Sequence, residues 1–142
     1  MIAGTVRGRS LYVYHLHMGG ADAAALEWQA LRAPRFAQRL DQAGVKWVNS
    51  TAEADTVVAT GLLTVRNLEA VLAELAGMPS PSVLIAAGDT ALNGGIWSRL
   101  RMPGVLRHTL SYYADVQISV PGSPPTPQAL LAAIAAAAVL LG

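Results

Sequence analysis

The sequence predicts an α/β domain in which a mainly parallel sheet of four or five strands carries helices on both faces. Short apolar runs of strand character alternate with helical segments along the chain, which is the pattern of a parallel sheet. The run 56–60 is apolar on both faces, as a central strand should be. The chain has 142 residues, of which 53% are hydrophobic. We therefore expect one domain over residues 1–142 with a core of about 10–141.

Five segments have strand character. The first, 11–16, alternates aliphatic and aromatic residues and ends in the turn Met18-Gly19-Gly20. Residues 102–113 have no clean period and are expected to form a surface excursion before the last strand. The other predicted strands are 45–48, 56–60, 82–87 and 114–120.

Helical segments are predicted between and after these strands. The clearest covers 65–75, with apolar residues at helical spacing, Thr64 as its N-cap and Gly77 at its end. The last, 129–141, is almost uninterrupted apolar sequence, and Pro127 suits its first turn because proline lacks the N–H that would be unbonded there. Two shorter helices are predicted at 23–31, capped by Asp22, and at 36–42.

Composition excludes several classes of function. A formal net charge of +1 with 13% charged residues argues against a nucleic-acid binder. Cysteine is absent, which excludes disulfides and thiolate catalysis. The longest apolar run, 129–141, is shorter than the roughly 20 residues that a bilayer requires, and no secretory signal is expected. A mean hydropathy of +0.39 with so few charges indicates that a partner covers part of the surface.

Three glycine-rich or proline-rich turns follow predicted strands. In open α/β sheets, ligands and cofactors lie at the carboxyl ends of the strands, so these turns are the candidate site. The last of them has four prolines in eight residues, 120–127, and holds Ser123 rigidly at this edge. The three turns are 19–24 (GGADAA), 88–95 (GDTALNGG, with a tight exit turn over its first three residues) and 121–125 (PGSPP).

These turns resemble the loops of the NADH:quinone oxidoreductase 20 kDa subunit family, which includes the small subunits of membrane-bound [NiFe] hydrogenases and formate hydrogenlyases. Family members of the hydrogenase type read G-G-C-x-x-C, G-x-C-A-x-x-G-G and P-G-C-P-P-x-P. The resemblance covers about 14–131 and keeps the three loops in order. It implies a flavodoxin-like three-layer domain whose loops hold a [4Fe–4S] cluster against a catalytic large subunit.

The departure from the family pattern is as informative as the match. All four positions that would be cluster cysteines carry other residues, namely Ala21, Ala24, Thr90 and Ser123. Iron–sulfur clusters are held by thiolates, alanine offers no ligand, and neutral hydroxyls are poor substitutes. We therefore expect a degenerate iron–sulfur site, with no [4Fe–4S] cluster and no metal bound.

The resemblance implies a structural or coupling subunit that is not catalytic by itself. Its expected partners are a hydrogenase or NADH dehydrogenase large-subunit homologue and the membrane subunits of the same complex, with no nucleic acid. The expected location is cytoplasmic, peripheral on the inner face of the membrane through those subunits. The expected interface residues are Gly19, Gly20, Gly94, Gly95, Pro124 and Pro125.

Other functions remain open on the sequence. The main alternative is a soluble α/β module that reuses the crevice for a small ligand such as an anion or a nucleotide. A hydrolase is disfavoured, because Ser123 does not lie in a G-x-S-x-G elbow. Two side-chain groups have both a functional and a structural interpretation. They are a metal or proton-carrying cluster (His15, His17, Asp22 and Asp89) against caps and packing, and a quinone-like pocket (Trp97, Tyr112 and Tyr113) against ordinary interface aromatics.

Overall fold

Five parallel strands form the centre of the fold, in the order β2-β1-β3-β4-β5. The computed structural model describes residues 10–19, 38, 40–41, 44–93, 106, 108–122 and 125–142. The strands are β1 (Leu11–His17), β2 (Val45–Trp47), β3 (Thr56–Thr60), β4 (Val83–Ala87) and β5 (Ile118–Val120). This is the flavodoxin-like order, in which the chain reverses its direction of winding between β1 and β3. The predicted parallel sheet is thereby confirmed.

The register of the three central strands is fixed at their amino ends by Asp55. Its carboxylate accepts the main-chain N–H of Tyr12 at 3.0 Å and the hydroxyl of Thr56 at 3.3 Å. Its own main-chain oxygen accepts the N–H of Val83 at 2.8 Å. One residue therefore joins β1, β3 and β4 before their ladders begin.

Apolar side chains pack on both faces of the sheet. Along β3, Val58 points to one core cluster and Val57 and Ala59 to the other, because successive side chains in a strand alternate. All five residues of β3 are buried, as its sequence predicts. The sheet is therefore the middle layer of three.

Helices cover both faces. The described helices are α1 (Leu68–Ala76), α2 (Asp89–Asn93), α3 (Leu110–Tyr113) and α4 (Pro127–Leu141), with a 3₁₀ turn at Thr51–Glu53. The apolar face of α4 packs in the first cluster with Val58, and α1 packs in the second with Val57. Gln38, Leu40 and Asp41 are also helical, within the predicted 36–42 segment, whereas the predicted helix 23–31 lies outside the described residues.

The last helix, α4, agrees with its prediction from the sequence. The Thr126 side chain accepts the N–H of Ala129 at 3.1 Å, and Pro127 occupies the first turn, where a missing N–H is tolerated. Ile134 on this helix is fully buried, whereas Val139 is 66% exposed. Within the part of the chain that is described, no helix combines the length and apolarity needed to cross a bilayer.

Four element predictions need correction. The predicted helix 65–75 begins at Leu68 with Asn67, not Thr64, at its N-cap position, because the side chain of each residue accepts the N–H of the other and closes a turn before the helix. The predicted strand 114–120 is paired only from Ile118, because the side chain and main chain of Gln117 take both hydrogen bonds of Leu84 instead. The predicted exit turn after Gly88 is short, since Asp89 already begins α2. The predicted surface excursion contains α3, whose Leu110 is fully buried.

Candidate functional site

The predicted turns leave their strands at the same edge of the sheet. Gly19 follows β1, Gly88 follows β4, and Gly122 follows β5, each with a positive φ (142°, 92° and 131°). Positive φ values of this kind favour glycine, because a Cβ would clash with the neighbouring peptide. The chain therefore turns out of the sheet at each of these three glycines, as predicted.

The chain leaving β1 comes into close contact with the chain leaving β3. Gly61 has φ 91°, and a Cβ at this position would lie 2.6 Å from the main-chain oxygen of Gly19 and 2.9 Å from its nitrogen. The same Cβ would lie 3.2 Å from the His17 ring. The N–H of Leu62 donates to that Gly19 oxygen at 3.1 Å. Only glycine at position 61 permits this approach.

Asn67 bridges the same two chain segments through its side chain. Its Nδ2 donates to the main-chain oxygens of Met18 at 2.7 Å and Leu62 at 2.9 Å, and its Oδ1 accepts the N–H of Thr64 at 2.7 Å. We call these three bonds the Asn67 bracket. It lies at the β1/β3 switch point, where ligands of flavodoxin-like sheets bind.

A second bracket joins the turns after β4 and β5. The carboxylate of Asp89 accepts the N–H of Gly122 at 2.7 Å, and the N–H of Asp89 donates to the Gly122 oxygen at 2.9 Å. The N–H of Gly88 donates to the Val120 oxygen at 2.7 Å. We call the reciprocal pair the Asp89 bracket. It fixes the turn that carries Thr90 against the turn that leads to Ser123.

Three predicted site residues are described. Thr90 is partly buried as the second residue of α2, directly after the Asp89 bracket. Gly19 is partly buried beside Gly61, and Pro125 is buried at the start of α4. The other predicted site residues, which lie outside the described part of the chain, are Ala21, Ala24, Ser123, Gly20, Gly94, Gly95 and Pro124.

The residues at this edge do not fit a [4Fe–4S] cluster. Such a cluster needs thiolate ligands, and the chain has no cysteine. Thr90, the ligand position that the structure describes, presents a neutral hydroxyl. The side chains at this edge therefore cannot supply the thiolate ligands that iron–sulfur electron transfer requires.

Two histidines stand side by side near the end of β1. The rings of His15 and His17 have centroids 6.1 Å apart with planes 25° apart, and His15 Nε2 is 2.7 Å from the hydroxyl of the fully buried Thr60. Asp22, the third member of the predicted cluster, lies outside the described residues. Among the residues that are described, no group of three or more histidine or acidic side chains is arranged to hold a metal ion.

An aromatic group surrounds α3. The rings of His108 and Tyr112 stack with centroids 3.8 Å apart, and Tyr113 meets Tyr112 edge-on at 5.0 Å. The hydroxyl of Thr109 donates to the main-chain oxygen of Leu92 at 2.9 Å, which ties this group to α2. Trp97, the third residue of the predicted pocket, lies outside the described residues. An exposed aromatic pair of this kind is typical of protein interfaces.

Tyr14 carries the clearest electrostatic perturbation in the described part of the chain. Burial, and then the negative charge of Glu74 and a hydrogen bond to it, raise the pKa of the Tyr14 phenol above its ordinary value. The phenol is therefore neutral at physiological pH. Its role is packing and hydrogen bonding between β1 and α1.

The fold is a flavodoxin-like sheet, and the turns of the candidate site lie at the carboxyl edge of its strands. Residues 16–137 match the family described as NADH ubiquinone oxidoreductase, 20 Kd subunit. The chain belongs to this family, as a divergent member without cysteine.

Relatives named as subunits of hydrogenase, formate hydrogenlyase and quinone oxidoreductase are similar to this chain in sequence. "Probable membrane-bound hydrogenase subunit mbhJ" of Pyrococcus furiosus is 33% identical over 125 residues, which is 87% of this chain and 71% of the relative. Formate hydrogenlyase subunit 7 of Escherichia coli is 33% identical over 134 residues, covering 94% of this chain and 50% of the relative. NAD(P)H-quinone oxidoreductase subunit K of Thermosynechococcus vestitus is 30% identical over 117 residues, covering 82% and 48%. This chain therefore spans about half the length of the last two relatives.

Solved structures share the fold. A chain of the membrane-bound sulfane sulfur reductase, an archaeal respiratory membrane complex, superposes with a TM-score of 0.76 at 22% identity, covering 95% of this chain and 72% of that one. A chain of NAD⁺-reducing [NiFe]-hydrogenase superposes with a TM-score of 0.63 at 16% identity, covering 87% and 88%. The predicted flavodoxin-like architecture is confirmed.

Sequence reasoning missed two residues of this edge. They are Gly61, in the turn after β3, and Asn67, at the start of α1. The signal for Gly61 is a glycine directly after a buried strand, where a close backbone approach is common. The hydrogen bond from Asn67 to Met18 spans 49 residues and has no local signature in the sequence.

Proposed function

We propose that this chain is a cluster-less small subunit with a structural or coupling role in a membrane-associated assembly similar to respiratory complex I or an energy-converting hydrogenase. The observation that carries the proposal is the combination of a retained loop frame and missing ligands. The Asn67 and Asp89 brackets hold the turns after β1, β4 and β5, whereas the chain has no thiolate to bind iron. The family membership and the relatives, which are named as subunits of hydrogenases and quinone oxidoreductases, support a subunit role.

The proposed partner at the carboxyl edge is a homologue of the hydrogenase or NADH dehydrogenase large subunit. In the resembled family this edge faces the large subunit, so we place Gly19, Gly20, Gly94, Gly95, Pro124 and Pro125 in the contact. An obligate interface typically buries more than about 2,000 Å² and is more apolar than ordinary surface. The 13% charged residues of this chain are in keeping with such coverage.

The proposed location is the inner face of the cytoplasmic membrane, reached through partner subunits. Helix α4 has 15 residues, fewer than the roughly 20 that a bilayer-spanning helix requires. Attachment is therefore assigned to membrane subunits of the same complex rather than to a helix among the residues described.

Co-purification from native membranes tests the partner. Tagged wild-type protein should bring down a large-subunit homologue, and Gly94→Glu or Gly95→Glu should abolish this capture while the chain stays folded. Ala52→Glu is the matched control, because Ala52 is exposed in the 3₁₀ turn at the amino edge of the sheet. A stable monomer in native extract, with no large-subunit homologue attached, would contradict the proposal and favour the small-ligand module.

Iron analysis tests the proposed loss of the cofactor. Protein prepared anaerobically should contain neither iron nor acid-labile sulfide. Near-stoichiometric amounts of both would refute the cluster-less assignment without affecting the subunit role, because the two measurements are independent.

A further inference from the structure

Asn67 begins helix α1, but its side chain does not cap that helix. Asn67 occupies the N-cap position of α1, where an asparagine side chain ordinarily accepts an N–H of the first helical turn. It makes no such bond. At the start of the helix, Leu68 N donates to Thr64 O at 3.0 Å, and Val71 N makes the first ordinary helical bond to Asn67 O at 2.9 Å.

The Asn67 amide forms its hydrogen bonds with chain segments outside the helix. Two of its three hydrogen bonds go to the main-chain oxygens of Met18 and Leu62, and the third comes from the N–H of Thr64. An asparagine amide has one oxygen that accepts and one nitrogen with two donors, so this arrangement uses both donors and the acceptor. No rotation of the amide preserves all three bonds. The side chain is therefore fixed by the segments that it joins.

The joined segments are those that define the turn after β1. A Cβ on Gly19 would lie 3.4 Å from Asn67 Nδ2, so the amide is in contact with the chain as it turns out of the sheet. The Gly19 oxygen also accepts the N–H of Leu62 at 3.1 Å. Asn67, Leu62 and Gly19 form a closed set of contacts that fixes the chain after β1 as far as Gly19.

We propose that Asn67 is a positioning residue that sets the path of the chain out of β1 and thereby shapes the first loop of the partner interface. The inference rests on the proposed function, since it assigns the loop to a docking surface. A bound cluster would cross-link loops through its ligands, in the way that metal binding generally couples to folding. This chain has no cysteine to make such a cross-link, and the Asn67 bracket instead holds the turn after β1 to the chain that leaves β3.

The experiment compares three variants of the full chain. Asn67→Asp keeps the size of the side chain and the acceptor for Thr64 N–H but removes both donors. Asn67→Ala removes all three bonds. Thr64→Val is the matched control, because it removes only the weaker contact from Asn67 N–H to the Thr64 hydroxyl at 3.3 Å and leaves the bracket intact.

Hydrogen exchange of the isolated chain gives the first readout. The Leu62 amide should exchange about tenfold faster in both Asn67 variants, whereas the Val58 amide in the centre of the sheet should be unchanged. Thr64→Val should leave both amides at the wild-type rate. If Leu62 exchange is unchanged in a folded Asn67→Asp protein, the positioning role is overturned. If Asn67→Ala does not fold, the Leu62 exchange rate of Asn67→Asp alone tests the positioning role.

Affinity for the captured large-subunit homologue gives the second readout. Asn67→Asp should weaken binding about tenfold, and Thr64→Val should bind as the wild type does. Faster Leu62 exchange with unchanged affinity overturns the docking part of the inference. Wild-type protein that binds no such partner refutes the proposed function instead, so the two failures are distinguishable.

Discussion

Replacing Gly61 with alanine should destabilise the fold through a collision at the candidate site. The new Cβ would meet the Gly19 main-chain oxygen at 2.6 Å and its nitrogen at 2.9 Å, and both are backbone atoms that cannot rotate away. Position 61 also has φ 91°, where an L-residue costs about 1–2 kcal/mol. Moving Gly19 to relieve the contact breaks its bond to Leu62 N–H, which contributes about 0.5–1.5 kcal/mol. We expect Gly61→Ala to lower the free energy of unfolding by about 2–3 kcal/mol.

Gly44→Ala is the matched control for this variant. Gly44 has φ 87°, close to that of Gly61, and it precedes β2 at the opposite edge of the sheet. Both substitutions stiffen the unfolded chain to the same extent, so that contribution cancels in the comparison. Gly44→Ala should therefore show the conformational strain without the collision against Gly19, a loss of about 1–2 kcal/mol.

Urea denaturation measures the difference between the two variants. With a slope of about 1–3 kcal/mol per molar urea, Gly61→Ala should have a midpoint about 1 M below that of the wild type, with an unchanged slope. The difference between the variants should be about 1 kcal/mol or more. If their free energies of unfolding agree within about 0.5 kcal/mol, the close approach of the two chain segments does not exist in solution, and the geometry of the site must be revised.

Three further variants test other parts of the molecule. In thermal melts, Asp89→Ala should lower the free energy of unfolding by about 1 kcal/mol more than Asp89→Asn does. The asparagine amide keeps an oxygen that can accept the N–H of Gly122, whereas alanine has none. Equal losses would contradict the Asp89 bracket. In the isolated chain, Ile134→Ala should cost about 2–5 kcal/mol by denaturant titration and Val139→Ala less than about 0.5, because only the first side chain is fully buried; similar costs would mean that α4 is rotated. The raised pKa of Tyr14 means that the folded state holds this proton more tightly, so its contribution to stability is complete below the ordinary tyrosine pKa of about 10 and is lost as pH rises through the folded value. Glu74→Gln should lower the pKa of Tyr14 in a phenolate absorbance titration, read as a difference from Tyr14→Phe, but burial should keep it above the ordinary value; no change would exclude the contact with Glu74.

The layer architecture could be predicted from the sequence because it depends on local pattern. The buried run that forms β3 was predicted at Thr56–Thr60, and the structure has the same bounds. An uncharged helix ending the chain was predicted from 129, and the structure begins it at Pro127 with the Thr126 cap. Apolar periodicity and turn residues decide such elements, since both act over a few residues.

Element ends and the brackets could not be predicted in this way. Thr64 was expected to cap the helix after β3, but Asn67 occupies the N-cap and Val65 is 63% exposed. The four residues from Thr64 form a turn that brings the Asn67 amide to Met18, and that contact depends on β1 and β3 lying side by side. Hydrophobic periodicity does not predict which strands are neighbours in the sheet. The contact of the Asn67 side chain across β1 and β3 therefore could not be predicted from the sequence.

The Asn67 bracket also separates the two functions that the sequence left open. In flavodoxin-like sheets a small ligand binds at the switch point, and here the Asn67 amide lies across the β1/β3 gap with bonds to Met18 and Leu62. If the chain is a ligand-binding module, Asn67→Ala clears that gap and should strengthen the binding of an anion or nucleotide. If the chain is a docking subunit, the same variant loosens the turn after β1 and should weaken capture of the large-subunit homologue. Calorimetric titration with phosphate and with adenosine nucleotides, run beside the capture assay, measures both. Tighter ligand binding with unchanged capture would favour the module, because the docking role requires that the same variant weaken capture.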